Sequence, residues 1–365
     1  VRAIYQEVDL MKALMMTPTV DPFDPVHGFA YAWMKRIAGQ VDKLSIITLV
    51  QRNTEPDRDF EVYSLDTKGN RLSKWLYLNR LLLTLVPRVD LVFTHMYPAF
   101  PVLAWPFSRL FAKPLVMWFC HGHISLMTRL GHALVNRVVT ASEESFRIRS
   151  RKVKIIGHGI DIERFSTSNT PASKGGATIL SVGRISPVKD YTTLIEAAAI
   201  MGSEYGMKDI RIVIVGGPAS VSEERYLEMV KNLTRDRGIE KRVEFVGPVP
   251  YNQVAEYYRR ADLFVSTSQT GSIDKAVLEA MASGIPIVTC NEAFYPFLGS
   301  YRSMLTFQKN DPHDLAKKIA ALYSLSEEDR EKMRFFLKGI VETEHSLDVW
   351  LPRLISVFRE VLKRN

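Results

Sequence analysis

The sequence predicts an α/β protein of two doubly wound, Rossmann-like domains. Three observations point there. Short apolar runs alternate with longer helical stretches from end to end, the pattern of strands joined by helical crossovers. A Ser-, Thr-, Pro- and Gly-rich stretch at 166–176, STSNTPASKGG, cuts that alternation in two and reads as a linker. The length, 365 residues, is long for one core and comfortable for two. The domains are therefore expected at 1–165 and 177–345, followed by a terminal helix at 346–365. Two parallel sheets joined by one linker imply a cleft between their C-terminal strand edges, where such folds bind ligands.

In the first half, Ala13–Met16 reads as a strand, then a Pro/Asp/Gly-rich loop runs to Gly28 and a helix covers Phe29–Ala38. Strands are expected at Leu44–Val50 and Glu61–Leu65, and an apolar helix carrying Lys74 and Arg80 at Leu72–Leu85. Strand Val89–Thr94, helix Phe100–Phe111 and strand Leu115–Cys120 follow, the last running into His121-Gly122-His123. Val138–Ala141 and Val153–Ile156 close the set, and right-handed crossovers make the sheet parallel. The second half repeats the plan with strands Thr178–Val182, Arg211–Val215, Val243–Val246, Leu263–Ser266 and Ile285–Thr289. Helices are expected at Tyr191–Met201, Glu223–Arg237, Asn252–Arg260, over AVLEAMASG, and at Pro312–Tyr323, Glu327–Val341 and Leu347–Lys363.

Composition is that of a globular protein, 46% hydrophobic and 24% charged, with no low-complexity tract. No apolar run approaches the ~18 residues of a spanning helix, which argues against an integral membrane protein. VRAIYQEVDL lacks the basic start and apolar core of a signal peptide and reads as an upstream extension before MKALMMTP. Cys120 and Cys290, at strand ends in different domains, read as buried thiols in a reducing cytoplasm rather than a disulfide. The net charge of +8 is uneven: residues 67–154 hold 14 Lys/Arg against 3 Asp/Glu. Such a patch either solubilises or meets an acidic surface, anionic lipid or a polyphosphate-linked acceptor. Pro98–Phe111, with Trp75, Tyr77, Arg80 and Leu81–Leu83, could form an aromatic–basic face in a lipid interface; the alternative is the core side of helices. No nucleic-acid recognition motif accompanies the charge, so nucleic acid is not expected as a partner.

The most informative stretch is Val243–Cys290. Its turn, Thr267–Ser272, opens onto a helix N-terminus, where unpaired amides and the macrodipole favour an anion. Glu279 is the one acid inside the apolar helix that follows. A phosphate-bearing ligand with a carboxylate nearby to take hydroxyls fits that pattern.

This segment resembles the nucleotide-sugar site of retaining glycosyltransferases of family 4, which have the GT-B fold. Ser268, Glu279-Ala280-Met281-Ala282, Gly284 and Pro286 fall on the family signature without a gap. Ser181-Val182-Gly183-Arg184-Ile185-Ser186-Pro187-Val188-Lys189 matches its G-R-x-x-x-x-K element. The resemblance implies that Arg184 and Lys189 stabilise the diphosphate leaving group, as an Arg fork and a Lys point charge suit. It also implies that Glu279 accepts ribose hydroxyls and that backbone near Gly247–Tyr251, with Gly247, Pro248 and Val249 foremost, holds the base. Gly183, Gly216 and Gly217 would line the same side. In the first domain it places His121 against the donor sugar and Gly28 at a turn touching the donor phosphate. His158-Gly159-Ile160-Asp161 resembles a turn that closes that domain, and the last helix resembles one that crosses back to it.

One position departs: Gly271 stands where the family has the first glutamate of its pair, and Asp274 where it has a glycine. Asp274 is expected either to face the sugar in place of the missing carboxylate or simply to cap its helix. Ser272 and Lys275 are expected at the donor, Lys275 adding charge against the diphosphate. No cofactor is implied, and His121 with His123 lack a third metal ligand of suitable spacing. The expected function is retaining transfer of a sugar from a nucleotide-diphosphate donor to a glycolipid or saccharide acceptor. Its expected place is the cytoplasmic membrane face, peripherally bound. The alternatives are a sugar-nucleotide epimerase, a glycan phosphorylase (no pyridoxal-binding lysine is evident) and a non-catalytic nucleotide-sugar-binding protein.

Overall fold

The computed structural model describes residues 11–53, 58–165 and 177–364. The expected extension at 1–10 and linker at 166–176 lie outside them. The chain forms two compact units, residues 1–159 with 347–365, and residues 160–346.

The first unit runs β1 (Lys12–Val20), α1 (Phe29–Ala38), β2 (Lys43–Gln51), β3 (Phe60–Ser64), α2 (Arg71–Leu85), β4 (Leu91–His95), α3 (Ala99–Leu110), β5 (Leu115–Trp118), α4 (Leu126–Leu134), β6 (Arg137–Thr140) and β7 (Val153–Ile155). Its strands form one parallel sheet in the order β3-β2-β1-β4-β5-β6-β7. The order reverses between β1 and β4, which sets a crevice at their C-terminal ends. Five strands have fully apolar or Thr/Ser-studded interiors because helices cover both faces of the sheet.

The second unit runs α5 (Ile162–Phe165), β8 (Thr178–Val182), α6 (Tyr191–Glu204), β9 (Arg211–Val215), α7 (Val221–Asp236), β10 (Val243–Gly247), α8 (Val254–Arg259), β11 (Leu263–Ser266), α9 (Lys275–Ala282), β12 (Ile287–Thr289), α10 (Arg302–Leu305), α11 (Pro312–Tyr323) and α12 (Glu327–Ile340). Its sheet is parallel, in the order β10-β9-β8-β11-β12. The reversal here lies between β8 and β11. The last helix, α13 (Leu347–Leu362), belongs to the first unit. Trp350 lies 4.1 Å from Trp33 between ring centroids, Phe358 meets Phe93 at 5.3 Å, and Glu360 pairs with Arg137 at 2.7 Å. Burying two large aromatics of one helix against α1 and β4 of the first unit contributes several kcal/mol, which explains its adherence there.

Two expectations need correcting. The boundary falls at 159/160 rather than 165/166, because α5 packs on α8 and α9. Phe165 is buried against Tyr258 at 5.6 Å and Tyr251 at 6.4 Å, so this turn is anchored in the second core. Helix α4 was not expected at all. Ser125 caps it by accepting from Thr128 N, but Leu126, Met127 and Leu130 are exposed, 84%, 42% and 43%. Its apolar residues point outward, the reverse of the pattern that marks a core-facing helix. Of the two thiols, Cys290 is buried and Cys120 only half-buried; neither is in a disulfide.

Candidate functional site

In the second unit the loops leaving β8, β9 and β10 are laced together at the C-terminal edge of the sheet. Gly183 N–H donates to Val215 O (2.9 Å), Ile185 N–H to Gly217 O (3.0 Å) and Gly216 N–H to Gly247 O (2.9 Å). Gly216 has φ +134°, and a Cβ there would sit 1.9 Å from Gly183 O, so only glycine permits the approach. Gly217 lies against Pro248, and Val249 is buried next to it in sequence. The six loop residues expected on the donor side, Gly183, Gly216, Gly217, Gly247, Pro248 and Val249, thus form one continuous backbone wall.

Across the β8/β11 reversal, a second set of bonds fixes Lys189. Gln269 N–H donates to Val188 O (2.9 Å), and Thr267 Oγ1 to Lys189 O (2.6 Å). Asp190 is left-handed, φ +45°, a conformation that costs about 1–2 kcal/mol outside glycine. It is offset by bonds from Thr193 N, Thr193 Oγ1, Thr192 Oγ1 and Gln269 Nε2, which cap α6 and tie the two loops. The strained residue therefore aims the lysine before it into the crevice.

Lys189 Nζ donates to Asp274 Oδ2. Asp274 is the N-cap of α9, accepting from Ala276 N at 3.2 Å, and Ser266 Oγ donates to it at 3.4 Å. Burial works against its charge, but the Lys189 ammonium beside it, by charge and hydrogen bond, prevails and holds the carboxyl below its usual range. Of the two roles expected for Asp274, the structure shows the cap, and its oxygens also serve Lys189. Gly271 has φ +63°, so the turn at the departing position is built for glycine, and a glutamate there would be strained. Ser272 is buried, with its carbonyl accepting from Asn291 Nδ2 at 2.6 Å. Arg184 is half-exposed and pairs with Glu223 of α7 at 3.3 Å.

Glu279 is 1% exposed, one turn inside α9. Its Oε1 accepts from Tyr251 Oη at 3.0 Å and from Lys275 Nζ; its Oε2 accepts from Tyr258 Oη at 3.0 Å. The Lys275 ammonium also lies over the Tyr251 ring, 4.5 Å from its centroid. Burial first, and the facing carboxylate second, push both phenols well above their ordinary range, so they stay donors at any working pH. A carboxylate offers about four acceptor directions, and three are occupied. A ribose diol can bond to Glu279 in bidentate fashion only by displacing one of them, and Lys275 is the least buried.

The first unit holds the other two expected residues at its own strand edge. Gly28 is the N-cap of α1, without a side-chain cap bond. His121 follows β5, is exposed, and accepts at Nδ1 from His123 N–H at 2.9 Å. The side chains of Tyr251, Tyr258, Asp190 and Gln269 were given no role from sequence. Only the αL-tolerant Asp190 just before a helix gave any local signal, as a cap. No group of three His, Cys, Asp or Glu that could hold a metal ion occurs among the described residues.

The fold and these loops define a class, an α/β protein of two doubly wound parallel sheets with glycine-rich loops at one sheet edge, and the comparisons say what it is similar to. Residues 163–335, all within the second unit, match the model of the family described as glycosyl transferases group 1. A D-inositol 3-phosphate glycosyltransferase of Corynebacterium glutamicum is 27% identical over 196 residues, 50% of this chain and 45% of that protein. D-inositol 3-phosphate glycosyltransferase 2 of Catenulispora acidiphila is 31% identical over 183 residues, 47% of this chain and 42% of that protein. The chain thus aligns with less than half the length of these curated relatives. Among solved structures, Anabaena Alr3699/HepE in complex with UDP and glucose superposes with a TM-score of 0.77 at 17% identity, covering 96% of this chain and 99% of that one. Sucrose-phosphate synthase of Thermosynechococcus elongatus does so with a TM-score of 0.76 at 14% identity, covering 97% and 100%. The fold is GT-B, two Rossmann-like parallel-sheet units.

Proposed function

We propose that this protein is a glycosyltransferase that moves a sugar from a nucleoside diphosphate to a glycolipid or saccharide acceptor, with retention of anomeric configuration. The observation that carries the reading is Lys189, held by a strained turn at the β8/β11 reversal beside the N-terminus of α9, with Glu279 one turn inside. As the anomeric carbon–oxygen bond breaks, negative charge collects on the diphosphate. Lys189, Arg184 and the first amides of α9 oppose it. The acceptor oxygen bonds to the anomeric carbon, and its proton passes to a phosphate oxygen of the leaving group. These protein cations supply the countercharge, so the reading needs no resident cofactor. HepE has been crystallised with UDP-glucose, which makes uridine the first base to test here.

The membrane side of the reading rests on the first unit. Helices α2, α3 and α4, in contact in that order, contain no Asp or Glu but hold Arg71, Lys74, Arg80, Arg109 and Arg129. The same helices expose Leu72, Trp75, Leu76, Leu83, Trp105, Leu110, Leu126, Met127 and Leu130. Aromatic and aliphatic side chains among cations suit the interface of an anionic bilayer. No helix among the described residues is long and apolar enough to cross a membrane.

Thermal-shift screening of a nucleotide-sugar panel, followed by transfer assays with the ligands that stabilise, tests the function. Selective stabilisation by a nucleoside diphosphate sugar is expected. Stabilisation with neither transfer nor hydrolysis would turn the reading to a non-catalytic binding protein, a rival that Gly271 favours.

A further inference from the structure

The three cations around the switch crevice are each closed on a carboxylate: Arg184 on Glu223, Lys189 on Asp274 and Lys275 on Glu279. The crevice that has to receive two phosphates is therefore close to neutral. Lys189–Asp274 is sequestered at both partners, with side chains 19% and 10% exposed, as is Lys275–Glu279 at 21% and 2%, whereas Arg184 is half-exposed. Neither member is loosely placed. The lysine backbone is fixed by Thr267 and Ser186, and its side chain passes over Gly183, where an added Cβ would come within 3.3 Å of Lys189 Cε. The aspartate is anchored by its cap bond to Ala276 N and accepts from Ser266 Oγ.

We infer that Asp274 is a built-in competitor for the donor diphosphate: a phosphate oxygen reaches Lys189 by exchanging with the Asp274 carboxylate. The inference rests on the glycosyl-transfer reading for what the diphosphate belongs to. Two consequences follow from the geometry. Donor affinity is held down, because one anion is traded for another at the same ammonium. Release of the nucleoside diphosphate is eased, because Lys189 has a partner waiting when the product leaves, in keeping with the way release limits many turnover rates. The Lys275–Glu279 pair repeats the device one turn along α9, with a ribose hydroxyl as the entering group.

Asp274→Asn removes the charge and keeps the helix cap, since asparagine caps as well as aspartate; Asp274→Ser is a second cap-preserving variant should the first fold poorly. Uridine diphosphate and inorganic pyrophosphate are titrated calorimetrically into the intact chain and both variants. Lys189 acylation by an amine-selective reagent is followed in parallel by peptide mass spectrometry. About tenfold tighter pyrophosphate and nucleotide binding is expected in the variants, from removing one charge near the phosphate site. Faster Lys189 labelling is expected too, with pyrophosphate suppressing it. Unchanged or weaker binding in both variants, or Lys189 labelling equal to that of the parent, overturns the inference. If pyrophosphate behaves as expected but no nucleotide or nucleotide sugar binds any of the proteins, the competitor stands and the glycosyl-transfer reading falls.

Discussion

The first and second units share a parallel, doubly wound plan, yet they dispose of charge in opposite ways. In the second, the cations of the switch crevice are drawn inward onto Glu223, Asp274 and Glu279, and the carboxylates are in turn held by phenols, amides and hydroxyls. In the first, helices α2, α3 and α4 carry cations and large apolar side chains at the surface with no acid on the same helices. One buried ionisable group of the first interior is instead uncharged. His95 is fully buried, with Nδ1 3.0 Å from Thr17 Oγ1 and its ring packed against Phe29 and Trp33. On the proposed reading, the second unit would meet an anion by exchanging paired charge, and the first would meet an extended surface by leaving charge outside.

The sharpest way to break this comparison is at Lys189. Lys189→Met should lower turnover by on the order of 10²–10³-fold, as loss of one charged donor at a developing oxyanion does. It should also destabilise the second unit by stranding Asp274. Adding Asp274→Asn should recover the melting temperature but not the turnover, which steady-state rates and calorimetry on the two variants will separate. Next in size is the outer face of the first unit. Reversing Arg71, Lys74 and Arg80 to glutamate should weaken sedimentation with anionic liposomes by about 100-fold or more, at roughly 1 kcal/mol per cation removed near the surface. An unchanged partition at low salt would remove the proposed membrane role and leave the proposed nucleotide site untouched.

Smaller effects sharpen the picture of the interiors. Tyr258→Phe deletes a donor to the buried Glu279 and should destabilise by about 1–3 kcal/mol, measured as a shift in the denaturation midpoint. The smallest effect concerns pH. Burial first, then His27 and His158, hold the His95 pKa well below its ordinary value. The folded state therefore resists a proton that the unfolded chain accepts, so stability is full above about pH 6.5 and is lost as pH falls below it. The loss is at most ~1.4 kcal/mol per pH unit, and His95→Gln should flatten that slope in urea titrations between pH 7 and 5.

Much of this was legible in the sequence because it depends on local order. Strand and helix periods located nearly every element, α1 and α11 to the residue, since each buries a stripe or face that its own sequence specifies. The G-R-x-x-x-x-K and EAMA spacings brought Arg184, Lys189 and Glu279 to one unit. Helix α4 escaped because its apolar side chains face outward, so its pattern argues against itself. The fate of Asp274 was open for a similar reason: a residue that can cap a helix can also reach a ligand, and sequence does not say which.

What the sequence determined by itself was the order of elements, the two parallel sheets and the loop motifs at their edges, all consequences of neighbours along the chain. Only the tertiary structure decided which charges meet. Lys189 and Asp274 are 85 residues apart, and Tyr251 lies 28 from Glu279. Such pairs form because crossovers deliver separate strand ends to one crevice, where low solvent access makes an unpaired charge costly and a partner obligatory.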